Sequence, residues 1–220
     1  MNFSFRVFIF LSFFAFLLPG ESFARKHKRQ VARGYWEYLL ELEKNHGFCN
    51  PEKKVHKELR RLKIKYGNIK HEKALQVAWS FVEKHQLDFI PKNLFLRARD
   101  QDKKIRFFLV MVDPRAGKVN LKQLASELKV KDLLFSSEEE LKSILGLVPG
   151  EVTPFALIRD SAKKAEVIPV IDQGVFYTYP TLSFHPLRND MTTTISTTDL
   201  DILLTEHNYN LLKTSIVYSR

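Results

Sequence analysis

Apolar residues recur at helical spacing up to about residue 85 and alternate with polar ones from about residue 93. Val31, Tyr35, Tyr38 and Leu42 share one face of a 3.6-residue period; Val55, Leu59, Leu62, Tyr66 and Ile69 share a second; Ala74, Val77, Ala78, Phe81 and Val82 a third. Gly47 and Gly67 punctuate these segments as stops. Beyond Pro91, Leu94, Leu96 and Ala98 alternate with Phe95, Arg97 and Arg99, and Ile105 to Val112 is an apolar, β-rich run. The polar stretch Asp100 to Lys104 between them predicts a hairpin. A turn from Asp113-Pro114 to Gly117 follows, then a helix over Leu121, Leu124, Ala125 and Leu128 capped by Asn120. Ser137 with Glu140 three residues on is a capping box opening a helix to Leu145. Phe155 to Ile158, Glu166 to Ile171, Val175 to Phe184 and Thr192 to Ser196 read as strands, with a polar turn over Arg159 to Lys164. A last helix takes Leu200, Ile202, Leu203 and Leu204 after Thr197 and Thr198. Together these predict an α+β fold, a mixed and largely antiparallel sheet flanked by helices, behind an N-terminal helical extension.

The first 24 residues depart from this pattern. Arg6 precedes an apolar run from Val7 to Leu18, then Pro19-Gly20 and the small-residue pattern Ser22-Phe23-Ala24. That layout predicts a signal peptide cut after Ala24, and the run is short for a membrane span. It implies export, to periplasm or medium, or membrane anchoring, with the cytoplasm as the location if the signal is not used. Charge sharpens the division. Of the formal +10, residues 25–90 carry 16 Lys and Arg against 8 Asp and Glu, net +8, whereas residues 91–220 carry 18 against 16, net +2. The surplus gathers on the second helical segment, at Lys53, Lys54, Lys57, Arg60, Arg61, Lys63 and Lys65, which points to a phosphate-bearing partner or an anionic surface. Cys49 is the only cysteine, so no intrachain disulfide forms.

Familiar catalytic signatures do not occur: no phosphate loop, no nucleophile elbow, no dinucleotide fingerprint, and no His or Cys pairing at metal-ligand spacing. Two stretches carry candidate chemistry instead. GLVPGEVTPF, Gly146 to Phe155, is a constrained helix-to-strand loop whose backbone amides can hold an oxyanion or an ester carbonyl. SFHPLRND, Ser183 to Asp190, sets His185 where Pro186 ends a strand. Taken singly, an ordinary connection and a structural histidine are the simpler readings of these two stretches. Lys92 and Asn93 stand directly in front of the first alternating strand.

The ordered strings KNLFLR, FFLVMVD, VNLKQLASEL, LFSSEEELKSILGLVPGEVTPFALI and FHPLRND followed by TISTTDLDILL resemble the prolyl-tRNA editing family, over about residues 90 to 210. That family comprises free-standing aminoacyl-tRNA deacylases and the editing insertion of bacterial prolyl-tRNA synthetases, and the likeness is greatest to the free-standing prolyl-tRNA deacylases. The resemblance implies hydrolysis of an amino acid, most typically alanine, wrongly esterified to tRNA(Pro). It places the family's essential lysine on Lys92, its asparagine on Asn93, its Gly-x-x-x-Pro loop on Gly150, Glu151, Val152, Thr153 and Pro154, and its late histidine on His185. It implies no cofactor and no metal. The chain then divides into a signal peptide (1–24), a basic helical extension (25–89) and an editing domain (90–212). The expected partner is aminoacyl-tRNA, its acceptor end in the pocket and its backbone against Lys53, Lys54, Lys57, Arg60 and Arg61. A competing expectation, raised by the export signal, is a catalytically lapsed member acting as an RNA- or ligand-binding module.

Overall fold

The computed structural model describes residues 50–72 and 79–219. The expected signal sequence, the helix predicted over Val31 to Leu42, Cys49, and Ala74, Val77 and Ala78 lie outside the described residues.

Helix α1, Pro51–Arg61, starts with proline at its first position and buries Glu52, Val55 and Leu59 along one stripe. The period predicted a helix running on to Ile69, and the structure corrects this. Lys63 takes a left-handed φ of 58°, the Ile64 amide returns to Leu59 O, and the Lys63 amide to Arg60 O. That closes the helix and packs Ile64, 6% exposed, beside Leu59. The chain then runs extended as β1, Gly67–Lys70. Over its described residues the expected extension is helix, strand and helix, with α2 at Trp79–Lys84.

From β2, Lys92–Arg99, and β3, Ile105–Val112, the hairpin forms as predicted, with Lys92 opposite Val112. The short β4, Lys118–Val119, leads to α3, Leu121–Glu127, where the Asn120 side chain accepts from the Gln123 amide. Strand β5, Lys131–Phe135, was not anticipated. In α4, Glu138–Leu145, the capping box of Ser137 and Glu140 is present in both directions. Phe155 to Ile158, expected as a strand, lies in a 3-10 turn, Pro154–Ile158. An unbroken apolar run does not distinguish strand from buried helix, and here Pro154 and the Thr153 cap start a helical turn. The predicted turn at 159–164 contains α5, Asp160–Lys164, which precedes β6, Ile168–Asp172. The strand expected from Val175 splits into α6, Gln173–Thr178, and β7, Thr181–Phe184. Asp172 caps the Gly174 amide at 3.0 Å, which turns the chain helical before Pro180 restores extension. Then come β8, Met191–Ser196, α7, Thr197–Glu206, β9, Leu212–Thr214, and β10, Tyr218–Ser219.

Five strands form a mixed sheet in the order β5-β2-β3-β6-β9. Its β5, β2 and β3 are antiparallel, while β6 and β9 continue parallel to β3. A second, antiparallel sheet has the order β1-β8-β7, and β10 pairs with β4. Alternation along β2 and β3 divides the core. Phe95, Leu109 and Met111 face α1, α4, α7 and the three-stranded sheet. Leu94, Leu96, Phe108 and Val110 face α3 and Ile216. Residues 50 onward form one compact unit, so the described part of the basic segment belongs to the domain rather than standing in front of it.

Candidate active site

Asn93 is fixed by chemistry more than by packing. Its Nδ2 donates to Val152 O at 2.9 Å. A carbonyl only accepts, so the amide is oriented, and Oδ1 is left buried with no hydrogen-bond partner among the described residues. Lys92 precedes it at the mouth of β2 and is exposed. By strand alternation Lys92 shares its face with Leu94 and Leu96, whereas Asn93 shares its with Phe95. The two neighbours therefore leave β2 on opposite sides, and Lys92 reaches the Asn93 side only around the strand end.

Val152 belongs to the Gly150 loop. Gly146 ends α4 with φ 63°, where a Cβ would run into the Arg159 guanidinium. Val148 O accepts from the Glu151 amide at 3.0 Å, with Pro149 and Gly150 at the corner and Gly150 at φ 90°, the layout of a type II turn. Thr153, fully buried, accepts the Phe155 amide on its hydroxyl at 3.4 Å. By holding Val152 O, Asn93 also sets the plane of the planar Val152–Thr153 peptide. Glu151 is a buried carboxylate in this loop.

His185 follows β7. Its Nδ1 lies 3.3 Å from Met191 O and must carry the hydrogen, which leaves Nε2 as the acceptor. Burial pushes its pKa below the ordinary 6.5; Met191 and Asp190 act the other way, and His71 adds to the lowering. His71, at the end of β1, has its ring centre 6.4 Å from that of His185. It bonds Glu72 O at 2.7 Å and the Thr192 hydroxyl at 3.0 Å, with the Phe81 ring edge-on at 4.8 Å. The structure thus joins Asn93 directly to the loop, and joins His185 to it through Phe184, whose ring meets Phe155 at 5.8 Å. One further seam holds the approach to Lys92. The Ser183 amide donates to Phe89 O at 2.9 Å, and Phe89 stacks on Tyr179 at 4.1 Å. Sequence reasoning missed His71, because a four-residue strand with one half-buried residue, Ile69, carries no alternation, and its apolar residues fell on a helical period. Gly67, read as a stop, was the available signal. Among the described residues no group of three His, Cys, Asp or Glu side chains is placed to hold a metal ion.

The profile of the aminoacyl-tRNA editing domain family matches residues 80–203, more than half of the chain. This chain belongs to that family. A curated relative, the prolyl-tRNA editing protein ProX of Acetoanaerobium sticklandii, is 32% identical over 145 residues, which span 66% of this chain and 84% of the relative. The fold agrees with a solved candidate trans-editing enzyme for prolyl tRNA synthetase (TM-score 0.55, 12% identity, 79% of this chain and 100% of that one). It agrees equally with a solved hypothetical protein (TM-score 0.55, 14% identity, 73% and 97%). The editing domain is an aminoacyl-tRNA deacylase of the prolyl-tRNA editing group. Its Lys92, Asn93, Gly150 loop and His185 all fall inside the matched span, whereas α1, β1 and His71 precede it.

Proposed function

We propose that this deacylase clears alanine from mischarged tRNA(Pro), by attack of water on the aminoacyl ester. The observation that carries the reading is the Asn93 clamp, a side-chain amide spent on Val152 O that leaves an unpartnered buried acceptor at the site. An aminoacyl ester is already activated, so placed donors and a placed water suffice, without a covalent nucleophile. Water oxygen bonds to the ester carbonyl carbon, the carbon–ribose oxygen bond breaks, and the two protons of water end on the ribose hydroxyl and the released amino acid. In this reading amides of the Gly150 loop orient the carbonyl, Asn93 Oδ1 accepts from the α-ammonium group or the water, and the neutral Nε2 of His185 positions the water. Lys92, at the strand end, pairs with the terminal phosphate or helps fix the ester. Preorganised donors such as the loop amides and Lys92 each lower the barrier by on the order of 3 kcal/mol. Selectivity comes from a pocket that admits alanine and excludes proline by size.

The test is deacylation of alanyl-tRNA(Pro) by the purified chain, beside prolyl-tRNA(Pro), a mock-purified blank, and the Lys92→Ala and Asn93→Asp proteins. The wild type should clear the alanyl species alone. Lys92→Ala should fall at least ~100-fold while keeping its unfolding transition, since it removes a group aimed at the reacting ester. Asn93→Asp, which keeps an acceptor but loses the Nδ2 donor that holds Val152 O, should fall as far because the Gly150 loop is released. A fully active Lys92→Ala protein would remove Lys92 from the mechanism, and equal clearance of both charged tRNAs would remove the specificity.

A further inference from the structure

Both acids of α1 are turned away from solvent. Glu52 is buried and meets Arg188 Nη1 at 3.1 Å. Glu58 holds the Arg61 guanidinium at 2.7 Å and the His207 ring at 2.9 Å. What α1 presents outward is therefore positive, with no compensating carboxylate among the described residues. Lys53, Lys54 and Lys57 are exposed and pair with no carboxylate among the described residues. Arg60, also exposed, donates to the neutral Tyr66 hydroxyl at 2.8 Å and so keeps its charge. At about 100° per residue these four fall within an arc of roughly 120°, opposite the buried Val55 and Leu59. Past the helix end Lys63 and Lys65 are exposed too, and His56 stacks on Tyr66 at 4.9 Å.

We infer that this ridge is a docking surface for the phosphate backbone of duplex RNA, the helical stem beside the aminoacylated end of the substrate. The inference rests on the editing reading above and adds how the RNA is held. Charge complementarity selects the class, and the helix's own packing selects RNA over a lipid surface. A helix lying in a bilayer interface must spend its apolar face on the lipid, and that of α1 is already in the core. Duplex RNA, by contrast, is held through its phosphates and shape, which asks only for a row of cations. From Lys53 to Arg60 that row advances about 10 Å. Arg61, grouped with these residues on sequence, is neutralised by Glu58 and drops out, whereas Lys63 and Lys65 join. The ridge is also rigidly keyed to the site. Arg188 ties Glu52 to Asp190 in the loop after His185, and His56 Nε2 lies 3.2 Å from the Thr193 hydroxyl.

The test replaces Lys53, Lys54 and Lys57 together by glutamine in the full chain and uses three probes: uncharged tRNA(Pro), alanyl-tRNA(Pro), and an alanyl ester of the trinucleotide CCA. Each lysine in contact adds about 0.9 to the slope of log K against log salt, so the variant's slope on uncharged tRNA should be shallower by about 2 to 3. Between 50 and 200 mM salt the wild type should lose roughly 40-fold more affinity than the variant. KM for alanyl-tRNA(Pro) should rise, and turnover of the trinucleotide ester should stay unchanged. An unaltered salt slope would overturn the ridge. So would a variant that loses binding to phosphatidylglycerol vesicles while keeping its affinity for tRNA. If the wild type hydrolyses neither ester, the editing reading falls, and the salt slope on uncharged tRNA still decides the ridge.

Discussion

Asn93 and His185 share one piece of chemistry: each spends a hydrogen on a backbone carbonyl and thereby keeps an acceptor, which in the proposed mechanism serves the substrate. For Asn93 the carbonyl is that of Val152, and for His185 that of Met191. Such an acceptor works only while unprotonated, which makes the histidine the pH-sensitive member. Burial first, with His71 adding to it, holds its pKa below 6.5, so near neutrality Nε2 carries a lone pair. As the pH falls through that lowered value the ring gains a proton, the acceptor is lost, and activity should fall with it. The expected kcat/KM profile therefore has an acid limb with its midpoint below 6.5, and His185→Gln should flatten that limb. A limb that persists unchanged in the variant assigns the titration to another group.

At the scale of the element, one device recurs and explains where the sequence misled. Five helices end alike, on a left-handed residue that is not glycine: Lys63 after α1, Gln86 after α2, Lys129 after α3, Glu166 after α5 and Asn208 after α7. In each, the next residue's amide returns to the carbonyl five back, as Val130 to Ala125 and Val167 to Ala162. Ile64, Leu87, Val130, Val167 or Tyr209 follows the turn each time, and for Ile64, Val167 and Tyr209 the side chain packs in the same core cluster as the end of its helix, which holds a conformation that L-residues otherwise avoid. Lysine and glutamate announce no stop, so the period of α1 ran on through Tyr66 and Ile69 and swallowed β1. By contrast, the hairpin β2–β3, the Asn120 cap and the Ser137–Glu140 box were legible because alternation and capping are written in residue types. Of the candidate site, ordered motifs singled out Lys92, Asn93, the Gly150 loop and His185, and the structure adds the contact of Asn93 with Val152 O in that loop. The opposite facing of Lys92 and Asn93 follows from that same alternation once β2 starts at Lys92, whereas the presence of His71 depends on pairing of β1 with the distant β8. Lys129 is exposed, so it isolates the backbone cost of the device. Lys129→Gly should stabilise the domain by about 0.5–1 kcal/mol in urea unfolding; a loss of stability would mean that the side chain, and not the backbone, sets the energy there.

On the scale of the whole molecule, the family match begins at residue 80, yet the structure does not. β1 pairs along the whole of Met191 to Thr194, and without it β8 becomes an open edge beside His185. Val55, Leu59 and Ile64 are at most 6% exposed and sit in the same core as Phe155 and Phe184. Each such side chain contributes about 1.5–3 kcal/mol on burial, so the three supply roughly 5–9 kcal/mol. A domain's net stability is only about 5–15 kcal/mol. Removing the segment also leaves Arg188 without Glu52 and His207 without Glu58. A chain begun at Trp79, which keeps the whole matched span, should therefore show no cooperative urea transition, whereas one begun at Asn50 should unfold in a single step. If the shorter chain also unfolds cooperatively and deacylates, α1 and β1 serve the RNA alone; if it fails in both, the basic ridge and the wall beside His185 are parts of one folding unit.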